Sequence, residues 1–186
     1  MQTEEIELES TTETDPTHAY FGTTDAIFVL VAIVVSVLVI QLGYNTWQEG
    51  VKTEITKANG EQFAAWLGTH GAARAEGKAG TLPACDAEGA DWKTCRDAMV
   101  GPGGPFPGLA NVAEAHGKLF SPTCDKLQHN THGSIIIAKG LPKALPATGF
   151  DYVPLEDGEA LNEALPMRVS ICGRGFSLIH IQEVTF

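Results

Sequence analysis

The stretch Phe21–Trp47, "FGTTDAIFVLVAIVVSVLVIQLGYNTW", holds one charged residue, Asp25, and the next is Glu49. From Ala26 to Ile40 every residue except Ser36 is apolar. At ~1.5 Å rise per residue, the uncharged length matches the ~30 Å hydrocarbon core of a bilayer. Tyr20 and Phe21 flank one end and Tyr44 and Trp47 the other, as in an aromatic belt. The stretch therefore reads as a transmembrane helix over 25–48, with the lipid bilayer as its solvent. Residues 1–24 contain no Lys or Arg and "VIQLGYNT" no Ala-x-Ala, so an uncleaved anchor fits better than a secretory signal.

On the N-terminal side, residues 1–24 form an acidic tail or leader rich in Glu, Thr and Ser, a composition that favours disorder. On the C-terminal side the helical pattern continues. Trp47, Val51, Ile55 and Ala58 recur at helical spacing, Phe63, Trp66 and Leu67 share a side, and no Pro occurs from Thr17 to Leu82. One long helix, from about Asp25 to about Gly71, is expected, its 49–74 part an amphipathic continuation lying on a folded domain.

Residues 75–186 read as that domain, an α+β head. Residues 75–132 are dense in Gly and Pro and read as loop with short helical pieces, among them "LANVAEAHGKLF", with Leu109, Val112 and Ala113 on one face. From His132 onward, "GSIIIAKG", "FDYVPL" and "MRVSIC-GRG-FSLIHIQEVTF" predict strands, the last two joined by a Gly-x-Gly turn. In the final strand, Phe176, Leu178, His180 and Gln182 fall on one face, with Ile179, Ile181 and Glu183 on the other. The fold class is α+β: a long N-terminal helix, transmembrane then amphipathic, with a C-terminal antiparallel sheet.

The chain has 186 residues and a net charge of −11, which argues against nucleic acid as a partner. Four cysteines, Cys85, Cys95, Cys124 and Cys172, suit two disulfides in an oxidising compartment. All twelve Lys and Arg follow the helix, yet only Lys52 and Lys57 lie close to it, and long domains cross membranes largely regardless of charge. An extracytoplasmic head is therefore expected. "CDKLQHNTH" brings Cys124, His129 and His132 together, with Cys172 and His180 as further zinc candidates, but no Cys-x-x-Cys pair supports a site. Cys172 beside His180 is the one conceivable nucleophile and base. No metal, no cofactor and no catalytic residue is assigned.

The chemistry concentrates on Asp25. At ~100° per residue, Ala32 and Ser36 lie about 20° to either side of it and Gly43 directly below. Small residues let membrane helices approach closely, and an ionisable group among them faces protein or water rather than lipid. Asp25, Ala32, Ser36 and Gly43 thus form a candidate assembly face toward other transmembrane helices. Capping of the helix N-terminus by Asp25 is the alternative use, compatible with the first.

The layout and "FGTTDAIFVLVAIVVSVLVI" resemble the type IV pilins and pseudopilins, in which a Phe precedes a helix acid by four positions, as Phe21 precedes Asp25. The resemblance implies that Asp25 pairs with a neighbour's N-terminal amine during assembly and that Cys124 pairs with Cys172. Asp25 at the start of a single helix also resembles the ExbD/TolR and MotB-like subunits of ion-driven motors, where the acid carries protons. A third reading is an accessory single-pass subunit of a larger membrane complex.

Overall fold

The computed structural model describes residues 22–78, 82–145, 147–161 and 164–186. Residues 1–21, and with them most of the acidic tail and the Tyr20–Phe21 flank, lie outside the described residues. The chain divides into two compact units, Met1–Tyr44 and Asn45–Phe186.

Helix α1 runs Thr23–Ala75. It is long and apolar enough to cross a membrane, and every residue from Gly22 to Trp47 is exposed. In the second unit the same helix becomes a core element. Thr56, Gly60, Phe63, Ala64, Leu67, His70 and Gly71 are buried, at the three- and four-residue spacing of a single helical stripe. Part of the expected stripe is corrected here. Trp47, Val51 and Ile55 remain 64%, 38% and 43% exposed, and Ala58 is exposed as well. The buried stripe runs through glycines instead, because the sheet comes too close for larger side chains. A Cβ on Gly60 would stand 3.0 Å from Ile171, and one on Gly71 would overlap the Thr185–Phe186 backbone.

The sheet is antiparallel in the order β2-β1-β3-β4, from β1 (Ile135–Pro142), β2 (Phe150–Pro154), β3 (Pro166–Cys172) and β4 (Leu178–Thr185). β3 and β4 are joined by a tight turn in which Gly175 and Phe176 have φ of 71° and 58°. The Phe176 N–H donates to the Gly173 carbonyl at 3.1 Å, and the Gly173 N–H to the Ser177 carbonyl at 2.8 Å, closing the connection. A bulge at Val169/Ser170 changes the phase of β4: Gln182 pairs with Val169 but His180 with Ser170. Ile179 and Ile181 therefore pack on the core, whereas Glu183 turns outward to Arg168 and Val184 is buried. The expected grouping of Glu183 with the two isoleucines fails because the bulge adds one residue to the period-2 pattern.

Two short helices fill the region before the sheet. α2 spans Pro83–Asp86 and α3 spans Trp92–Val100. Asp91 caps α3, accepting the Thr94 N–H at 2.7 Å, and this bond holds its carboxyl below the usual range. The helix expected in residues 109–120 does not form. The Asn111 side chain accepts from the Ala113 and Glu114 N–H groups and donates to the Lys118 and His132 carbonyls, replacing helical bonds with a side-chain turn.

The core of this unit centres on Phe63, whose ring lies 5.2 Å from Phe120, 5.5 Å from Phe106 and 6.5 Å from Trp92. Met99, Met167, Val169, Ile171 and Phe186 complete it. Cys85–Cys95 ties α2 to α3, and Cys124–Cys172 ties the preceding loop to the end of β3. Their sequence separations are 10 and 48. On loop-closure entropy the longer one contributes about 4 kcal/mol and the shorter about 3.

Candidate functional site

Asp25 sits in the first turn of α1, three residues after Gly22. Its carboxylate accepts the Gly22 N–H at 3.1 Å, while the Gly22 carbonyl accepts the Asp25 and Ala26 N–H groups at 3.0 and 3.1 Å. This is the acidic half of a capping box: the third helical residue reaches back to a donor that the helix leaves unsatisfied. The carboxylate also lies at the positive end of the helix dipole.

Below it, the Ser36 hydroxyl donates to the Ala32 carbonyl at 2.8 Å. Ser36 therefore presents little polarity along the helix, which lowers the cost of facing an apolar medium. A Cβ at Gly43 would meet nothing within 4 Å. The four residues share one helix face and all are exposed. The backbone along that face is open to close approach.

The four cysteines are consumed in pairs, and among the described residues none is free. Cys124 and Cys172 have their Cα atoms 5.2 Å apart and are bonded to each other, so neither is a thiolate ligand or nucleophile. His129 and His132 lie instead on the Phe176 ring, at 5.7 and 5.9 Å between centroids, and His180 is exposed on β4. No three His, Cys, Asp or Glu residues among those described are placed to hold a metal.

The fold also brings together charged groups that are distant in sequence. The outer sheet face carries Arg168, stacked 3.7 Å over Tyr152 and bonded to Glu183 at 2.7 Å. The Arg168 bond, then the Tyr152 bond, hold the Glu183 carboxyl below its usual range. Desolvation and then the bond to Glu183 raise the Tyr152 phenol. Beneath the last turns of α1, one oxygen of Asp86 meets His70 at 3.1 Å and Arg74 at 3.3 Å. The His70 ring stacks on both Trp66, at 4.6 Å, and Phe186, at 5.5 Å between centroids. Arg168 and Glu183 are cross-strand partners, a signal available once the register is known, whereas Asp86 reaches His70 and Arg74 only through the tertiary fold.

Comparison with models of protein families, with curated proteins and with solved structures finds no match for this chain.

Proposed function

We propose that this chain is a single-pass, membrane-anchored envelope protein that assembles through α1, in the manner of a pilin-like or pseudopilin-like structural subunit, with its disulfide-bonded head on the extracytoplasmic side. One observation carries the reading: a single unbroken helix, Thr23–Ala75, is apolar and exposed in its first part and is a core element of the head in its second. A helix of that kind ties whatever its membrane part binds to a folded head. The Asp25–Ala32–Ser36–Gly43 face supplies the packing surface, and two disulfides suit an oxidising compartment.

Two differently tagged copies, expressed together and extracted from membranes in mild detergent, test it. One copy is expected to capture the other, and Gly43→Leu to abolish capture. Leu38→Ala, on the opposite side of the helix, is expected to leave capture intact. No capture by the wild type, or equal capture by both variants, overturns self-assembly through this face. An intact mass taken without reductant reports the head's compartment: two disulfides support the extracytoplasmic placement, and four free thiols overturn it.

A further inference from the structure

Within the Asn45–Phe186 unit, α1 and β4 run side by side in the same direction. A Cβ at Gly60 would lie 3.4 Å from Ile181 and one at Gly68 3.5 Å from Val184, while one at Gly71 would overlap Thr185. From the first contact to the last is about 16 Å along the helix and about 13 Å along the strand. Followed back toward its start, β4 brings Leu178 level with about Thr53, and the β3–β4 turn level with Glu49–Lys52. Glu49 and Lys52 are still half-buried there. The turn therefore lies at the end where the chain enters the unit, at Asn45. The loop 124–133 is held to the same end. Cys124 is bonded to Cys172, the Gly133 N–H donates to the Cys172 carbonyl at 2.8 Å, and the His129 and His132 rings lie against Phe176.

This end presents apolar side chains to its surroundings. Leu127 is 90% exposed and Leu178 59%, and on α1 Trp47 and Val51 are 64% and 38% exposed. Phe176, half-exposed at the tip, is the one non-glycine residue with positive φ among those described, a conformation disfavoured for an aromatic side chain. Charge is close to balanced. Lys126 and Arg174 stand with Asp125, whose carboxylate accepts the Leu127 N–H and the Gln128 amide, and α1 adds Glu54 and the Glu49–Lys52 pair.

The covalent tether selects the occupant. Glu49–Lys52 lies about 3–8 Å beyond Trp47, the last residue of the aromatic belt. The headgroup layer is about 5–8 Å deep on each side of the hydrocarbon. A bilayer crossed by residues 25–48 thus reaches the level of the β3–β4 turn, whereas a partner protein would have to be recruited to it. We propose that this end of the head docks on the membrane surface, with Leu127, Phe176 and Leu178 entering the phospholipid headgroup layer. The inference rests on α1 spanning the bilayer.

The test places the full ¹⁵N-labelled chain, one copy per disc, in phosphatidylcholine nanodiscs carrying a paramagnetic label on the lipid headgroup or, in a second sample, at the acyl-chain end. The headgroup label is expected to enhance amide relaxation at Leu127, Arg174 and Leu178. It is expected to spare Leu145, which is 92% exposed but lies beyond the Pro142–Phe150 pair at the opposite end of the sheet. Leu127→Ser combined with Leu178→Ser is expected to cut the enhancement at Arg174 about fivefold, and Leu127→Ser alone about twofold, as loss of partly buried leucines entails. Both sites are exposed, so the other head resonances should keep their positions. Enhancement unchanged in both variants shows that the tether alone keeps the tip near lipid, and overturns docking. So does equal enhancement at Leu145, or enhancement only in discs with two copies, which assigns the tip to a protein partner. The acyl-chain label reads the span separately, through Val37. Enhancement at Val37 with none at the tip overturns docking alone, and none at either overturns the span as well.

Discussion

Gly43 and Gly71 are the same residue in the same helix, yet they do opposite work. A methyl group added at Gly43 meets nothing within 4 Å, whereas one at Gly71 runs into the backbone of Thr185 and Phe186. At Gly71 the absence of a side chain is already used: the helix and the end of the chain touch there. At Gly43 the same absence is unused within one molecule. The contrast extends to the two parts of α1. One carries its apolar residues outward along its whole circumference, and the other folds a narrow stripe onto a sheet. A glycine is thus no guide to packing until its surroundings are known, and an apolar helix is no guide to a core.

Changes that strike the packed part should unfold the head, while the same changes in the exposed part should not. The largest effect is expected from Phe63→Ala, about 3–5 kcal/mol lost in urea unfolding followed by near-ultraviolet dichroism. Phe28→Ala in the exposed part should leave that curve unchanged. Next comes Gly71→Ala, which should cost about 1–3 kcal/mol through overpacking, against no loss of head stability for Gly43→Ala. If the two glycine variants unfold alike, the contrast between the parts is wrong.

Smaller still is Asp25→Ala. It removes the Gly22 bond and should fray the first turn of α1 at a cost of about 1 kcal/mol, read from amide exchange at residues 22–26. Asp25→Asn keeps an acceptor and should cost less. The smallest effect concerns Glu183, whose folded pKa is depressed by Arg168 and then by Tyr152. Its contribution is present above the ordinary glutamate range and is lost as pH falls through the folded value. Glu183→Gln should therefore lower head stability slightly at neutral pH, leave it unchanged below the folded value, and so flatten the acid limb.

Much of this was readable from residue order. The apolar run from Ala26 to Ile40, the β-branched "III" that opens β1 and the glycines of the β3–β4 turn each announce their element locally. What stayed hidden depends on contacts distant in sequence. Trp47, Val51 and Ile55 have the right period for a buried face, but the sheet meets the helix further along, where Gly60 and Gly71 allow it. The bulge opposite Ile181 has no local signature, so the strand's faces could not be phased through Glu183. Asn111 defeats a plausible helix by offering its own backbone a competing set of bonds. On α1, the Asp25–Gly22 bond follows from position within the first turn and was anticipated as a cap. The Cys124–Cys172 pair came through a resemblance, and Cys85–Cys95 only through the fold.

The stripe on α1 rests on the last residues of the chain: Gly60 on Ile181, Gly68 on Val184, Gly71 on Thr185 and Phe186. During synthesis, Phe63 and Leu67 emerge more than a hundred residues before those partners. The core of the head therefore cannot close until those partners have been made. The apolar part of α1 has by then long since been made, so the core is completed late, around a helix that was made early.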